Sequence, residues 1–215
     1  MEVYESEREQ LDAIKKWWKQ NGKAVIIGAI LGFGSLFAWQ QWQANQKVAR
    51  ESASLEYDVL LAELESGNME AVKDRGGRIL GNYPDTPYAT LAALSLAKVH
   101  IEAGDLASAK SYLRQVIDQD RQPQLKTVAQ LRLARLLLAE GETGQALGLV
   151  RGITTAGFDV AVNELEGDIH LANGDRDQAR DAYRRALDAM EPGLDPSVLQ
   201  MKLDEVGGPE PEAQA

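Results

Sequence analysis

Gly174-Asp175-Arg176-Asp177-Gln178-Ala179-Arg180-Asp181-Ala182-Tyr183-Arg184-Arg185-Ala186-Leu187, closed by Pro192 a few residues on, is the clearest copy of a motif that recurs along this chain. Two more copies are centred on Gly104 and Gly141, at spacings of 37 and 33 residues. Seven residues before each central glycine stands a small residue, Ala97, Ala134 or Gly167; five residues after each stands Ala109, Ala146 or Ala179. A fainter copy lies at Gly67, with Leu60 and Val72 in its two small positions. The physical unit is a helical hairpin. The central glycine takes the left-handed conformation that ends the first helix and turns the chain. The small residues let the two helices approach, and consecutive hairpins stack because none buries its apolar stripe alone.

The motif resembles the tetratricopeptide repeat, over residues 88–192. Boundaries follow from local chemistry. Asp85-Thr86-Pro87 starts one first helix, with proline at the tolerated first position, and Pro123 starts the next. Asp195-Pro196 opens a final helix from Ser197 to about Asp204 that covers the last repeat. Residues 207–215 (GGPEPEAQA) have almost nothing to bury and are expected to be disordered.

Outside the repeats one segment stands apart. Residues 24–46 carry no charge, and AVIIGAILGFGSLFAW (Ala24 to Trp39) is nearly all apolar. At about 1.5 Å per residue the uncharged stretch reaches roughly 34 Å as a helix, against about 30 Å for a hydrocarbon core. Trp17 and Trp18 precede it and Trp39 and Trp42 close it, where interfacial aromatics belong. The leading segment is too long for a cleaved signal and no small-x-small site follows, so a retained signal anchor is expected. Lys15, Lys16, Lys19 and Lys23 outweigh Lys47 and Arg50, which puts the N-terminus in the cytoplasm. Gly28 and Gly32 form a small-xxx-small pair suited to close helix packing in the membrane. Ahead of the span, Ser6-Glu7-Arg8-Glu9 reads as a capping box; Leu11, Ile14 and Trp18 recur at helical spacing, and Asn21-Gly22 is expected to stop this short helix. It either lies on the cytoplasmic leaflet or is a solvated tail. No proline or glycine interrupts residues 46–66, so the membrane helix is expected to run on as a stiff stalk.

The expected fold is therefore all-α: one N-terminal transmembrane helix, then a tetratricopeptide-like solenoid of helical hairpins. The parts are a cytoplasmic amphipathic segment (1–22), the span (23–46), a periplasmic repeat domain (47–206) and a tail (207–215).

The composition leans away from catalysis. The chain has 215 residues, 23 Lys and Arg against 33 Asp and Glu, a net charge of −10 and no cysteine. That balance argues against nucleic-acid binding, which needs a basic face, and excludes disulfides, thiolate metal sites and a cysteine nucleophile. His100 and His170, the two histidines, each sit four residues before a central glycine. There they read as partly buried packing residues, and no metal site or cofactor is expected. No phosphate loop, HExxH or GxSxG sequence occurs, so no catalytic residue is assigned. The candidate site is instead the concave wall of the solenoid. By analogy with the repeat, Leu94, Lys98, Leu131, Arg135, Glu164 and Asp168 line a partner-binding groove, basic early and acidic late. The alternative is that these charges only keep that face soluble. Glu166 stands where a leucine is usual.

The order of parts carries a further resemblance. The segment NGKAVIIGAILGFG entering the membrane, followed by a degenerate repeat domain with NYPDTPYATLAALSLAK, is similar to the YfgM-like family, the ancillary subunits of the bacterial SecYEG translocon. The resemblance runs from MEVYESEREQ to VLQMKL. It implies an inner-membrane anchor with the C-terminal domain in the periplasm. It also implies association with the SecYEG translocon and a membrane-anchored parvulin-like periplasmic chaperone, and handover of translocating client proteins to chaperones. Two other readings stay open: a repeat scaffold for another envelope process, such as cytochrome c maturation or cell division, and a regulatory subunit of a separate enzyme.

Overall fold

The computed structural model describes residues 2–119 and 122–207, with side chains from Gln10 onward. Among the described residues there are nine helices and no strand: α1 (Glu2–Glu65), α2 (Met69–Asn82), α3 (Pro87–Glu102), α4 (Leu106–Gln119), α5 (Pro123–Ala139), α6 (Thr143–Arg151), α7 (Asp159–Ala172), α8 (Arg176–Asp188) and α9 (Ser197–Glu205). The chain divides into two compact units, Met1–Glu51 and Ser52–Ala215.

In the first unit α1 begins at Glu2, ahead of Ser6, so a helix start at Ser6 is not what forms; the side chains of that capping box lie outside the described residues. Nor does Asn21-Gly22 stop the helix. Asn21 donates its side-chain N–H to the Trp17 carbonyl at 3.1 Å, and the Trp18 ring lies over Gly22. A single glycine costs about 1 kcal/mol in a helix interior, which lowers stability without breaking the hydrogen-bonded ladder. The apolar segment makes α1 the one described helix long and apolar enough to cross a membrane, and its Ile, Leu and Phe side chains are exposed. Trp17 and Trp18 stand with ring centroids 6.5 Å apart at one end, Trp39 and Trp42 5.3 Å apart at the other.

The second unit is built from turns of one design. Gly67, Gly104, Gly141 and Gly174 all have φ between 74° and 83°. At each, the glycine N–H bonds the carbonyl three residues back and the next N–H bonds the carbonyl five residues back, as in Asp105 to His100 (2.8 Å) and Asp175 to His170 (2.9 Å). This pair of bonds satisfies the orphan carbonyls at the helix end, and the left-handed residue it needs is open to glycine without strain. Where the following helix begins, Asn68 and Asp105 accept from the backbone N–H three residues on, at 3.3 and 3.1 Å. Hydrogen bonds from Ser108 hold the Asp105 carboxyl below the usual aspartate range. Pro87 and Pro123 open α3 and α5, and Ser197 opens α9, all as expected.

Every small position of the motif is buried: Ala97, Ala109, Ala134, Ala146 and Ala179 have no accessible surface. The positions seven before and nine after each central glycine, not paired in the sequence reading, trade volume. They hold Leu60 and Gly76, Ala97 and Leu113, Ala134 and Val150, Gly167 and Tyr183, and all eight are buried. In the last copy the trade is a direct contact, because a Cβ on Gly167 would overlap the Tyr183 ring. Gly76 is filled differently, by Leu96 of α3, 2.8 Å from where its Cβ would stand. The largest core runs from Ala93 through Leu113 and Leu131 to Ile169. Smaller clusters form around Leu60, Ile79 and Val99, and around Tyr183, Leu199 and Leu203.

Arg75 of α2 ties the first hairpin. Its guanidinium takes both oxygens of Glu63 (2.8 and 2.9 Å) and one of Glu56 (2.6 Å). The hydrogen bonds from Arg75 hold the Glu63 carboxyl below its ordinary pKa, more than offsetting partial burial. Arg75→Ala strands two half-buried carboxylates, and the expected loss is about 1–2 kcal/mol, between the exposed and buried limits for ion pairs. Because the Glu63 pKa is depressed on folding, this contribution is fully present above the ordinary glutamate value of about 4.3 and disappears as pH falls through the folded-state value. A melting-temperature difference between wild type and Arg75→Ala that is constant at neutral pH and shrinks below about pH 4 is the expected record.

Candidate functional site

The six residues expected to line the groove do not share one environment. Leu94 and Leu131 are 7% and 4% exposed and belong to the main core, so they hold hairpins together instead of forming an apolar groove wall. The cause is the solenoid packing: α3 and α5 are both sandwiched between neighbours, and ten residues before the glycine falls on the covered side. Lys98 and Arg135 are exposed. Lys98 approaches only Glu102, at 3.8 Å, and Arg135 has no ion-pair partner among the described residues.

The acidic pair Glu164 and Asp168 is not an open surface. Lys202 of α9 reaches across to it, with Nζ 2.7 Å from Glu164 and 2.8 and 2.9 Å from the two Asp168 oxygens. The Tyr183 hydroxyl donates to Asp168 at 2.8 Å, and Lys202 lies 5.8 Å from the Tyr183 ring centroid. Burial and the bond to Asp168 push the Tyr183 phenol well above its usual range. Burial pulls the Lys202 ammonium down, but the hydrogen bonds to Asp168 and Glu164 outweigh it and leave the ammonium raised. α9 is thus a cap on the last repeat, seated by Leu199, Leu203 and Val206 and latched by Lys202. Its C-terminal carbonyls are held by arginines of α8: Arg176 donates to the Glu205 carbonyl at 2.7 Å and Arg180 to the Val206 carbonyl at 3.0 Å. Those cations also complement the helix dipole.

Glu166, the departure from pattern, is explained by charge pairing. It accepts from Arg151 at 3.2 Å and from Arg185 at 2.7 Å, joining α6, α7 and α8. His100 stacks on Tyr112 with centroids 5.4 Å apart and bonds Asp105 through Nδ1 at 2.9 Å. His170 is buried, and its Nδ1 has no hydrogen-bond partner. Both are packing residues inside their hairpins, as their shared position suggested. Among the described residues no group of three or more His, Asp and Glu is arranged around a metal. Of the six expected groove residues, Lys98 and Arg135 are the ones that stand exposed. Gly28 and Gly32 on α1 have nothing within 4 Å of where a Cβ would stand.

Sequence reasoning missed Lys202 and Arg75, the two cations that neutralise paired carboxylates. The signal for Arg75 was faint but present, since Glu56 and Glu63 share one helix face two turns apart.

The tetratricopeptide repeat-like domain family matches residues 15–208, taking in both the apolar helix and the repeats. A protein of Aggregatibacter actinomycetemcomitans named ancillary SecYEG translocon subunit is 32% identical over 198 residues, 92% of this chain and 96% of its own. Its namesake in Escherichia coli (strain K12) is 31% identical over 205 residues, 95% of this chain and 98% of its own. That of Haemophilus influenzae is 30% identical over 198 residues, 92% and 96% of the two chains. This chain belongs to the family of ancillary SecYEG translocon subunits. The three relatives are matched over 92–95% of this chain and 96–98% of their own, and the family match takes in the apolar helix together with the repeats. The matched region includes the degenerate first hairpin at Gly67 together with the regular ones.

Proposed function

We propose that this protein is a non-catalytic subunit attached to the SecYEG translocon of the bacterial inner membrane. Its apolar helix crosses the membrane with the N-terminus in the cytoplasm, and the repeat unit stands in the periplasm. There it passes newly translocated proteins to a membrane-anchored parvulin-like chaperone. The observation that carries the reading is the likeness, over 92–95% of this chain, to proteins bearing that name, in a chain that has one membrane-length helix and a tetratricopeptide repeat-like unit. The excess of lysine before the span supports the orientation. The exposed Lys98 and Arg135 are the groove residues left to touch a partner, and Gly28 with Gly32 is the face on which α1 would meet a channel helix. Anchoring acts through effective concentration: a weak surface held at the channel exit meets its partner at roughly millimolar.

Photoreactive residues at Leu36, within the apolar segment, and at the exposed Arg135 test this in intact membranes. Translocon subunits crosslinked from Leu36 and a chaperone or translocating client from Arg135 are the expected products. An unrelated envelope complex at both positions would discard the translocon assignment. Removing residues 1–46 is expected to abolish co-purification with the channel while leaving the helical signature of the repeat unit; equal recovery by the fragment would refute anchoring as the mechanism.

A further inference from the structure

A solenoid has two ends, and each exposes a helix face that the next repeat would have covered. At the C-terminal end α9 does that work, with an apolar seam and one cation set against the carboxylates Glu164 and Asp168. At the other end no described residue does. Within the second unit, α1 buries Ala53 and Leu60 and half-buries Tyr57 and Leu64, while Leu55 is 69% and Val59 44% exposed and Ala62 is exposed too. At about 100° per residue, Leu55, Val59 and Ala62 fall in one arc of roughly 60°, on the side away from Leu60.

The charges beside this stripe restrict its occupant. Asp58 and Glu65 border one edge, exposed and without an ion-pair partner among the described residues. Glu56 and Glu63 border the other, drawn to Arg75. A second copy of the chain would set acid against acid in either orientation, and an anionic lipid surface would be repelled. We infer that the Leu55–Val59–Ala62 face of α1 docks an amphipathic helix of a partner protein, apolar along its seam and flanked by lysine or arginine, which closes this end of the solenoid as α9 closes the other. The inference does not depend on the translocon reading.

The test uses the full chain in discs of uncharged lipid. With no native cysteine, Ser66→Cys takes a single environment-sensitive fluorophore just beyond the stripe. Two synthetic helical peptides share a leucine seam, one flanked by lysines and one by glutamates. The lysine peptide is expected to bind at least about tenfold more tightly, and Leu55→Ser with Val59→Ser to abolish that binding. Asp58→Lys with Glu65→Lys is expected to reverse the preference. Equal binding of both peptides, no binding of either, or binding that survives the serine pair would overturn the inference. So would a concentration-dependent dimer that the serine pair dissolves, because the occupant would then be a second copy.

Discussion

Gly167→Val lowers the stability of the repeat unit by about 3 kcal/mol. At an ordinary helical site the exchange of glycine for a residue with a side chain gains close to 1 kcal/mol or less. Here the gain is outweighed, because the new Cβ falls on the ring of Tyr183, which is wholly buried between α7 and α8. The ring has no room to withdraw while its hydroxyl is bonded to Asp168. In a thermal melt of the full chain in mild detergent, followed through the tyrosine near-ultraviolet signal, the midpoint is expected to drop by about 6–12 °C. Gly167→Ala with Tyr183→Leu, which copies the Ala97 and Leu113 combination, is expected to cost much less than the two single changes added together. An additive double mutant would mean that ring and glycine are not the coupled pair described.

The mirror prediction concerns the first hairpin. Leu60 occupies the position where the regular copies hold alanine or glycine, so Leu60→Ala brings the sequence closer to the repeat pattern. It is nonetheless expected to destabilise by about 3 kcal/mol, since a fully buried leucine leaves a cavity that its neighbours fill only partly. Leu55→Ala, five residues away on the open face, is expected to change stability by less than about 0.5 kcal/mol. Hydrogen exchange of α2 amides separates the two: faster exchange for Leu60→Ala, no change for Leu55→Ala. If Leu60→Ala were stabilising, the hairpin at Gly67 would not have the packing described.

What was legible in the sequence had a local cause. The glycine turns, the proline starts of α3 and α5 and the final helix at Ser197 all follow from backbone constraints acting within a few residues. The uninterrupted passage of α1 to Glu65 was legible for the same reason, as nothing in residues 46–66 breaks a helix. Asn21-Gly22 misled because a turn signal acts only where flanking residues leave the helix, and on both sides of it the pattern continues. The groove was legible only in part. Offsets from the glycine locate a residue along its helix, but which side the next hairpin covers depends on stacking, and stacking buried Leu94 and Leu131. The latch of Lys202 on Glu164 and Asp168 spans 38 and 34 residues, a separation over which no periodicity carries information.

The uniform glycine turns also bear on how the unit reaches its fold. Each hairpin closes through a few residues between adjacent helices and stacks on the hairpin just before it, so most native contacts are made between near neighbours in sequence. Such low contact order favours rapid folding that advances hairpin by hairpin and waits for no distant segment. A chain delivered N-terminus first would thus acquire structure as it emerged, exposing at any moment only the face of its newest hairpin. The exception is α9, the last of the described helices, whose latch is among the longest-range bonds in the unit; until it docks, Glu164 and Asp168 stand uncovered.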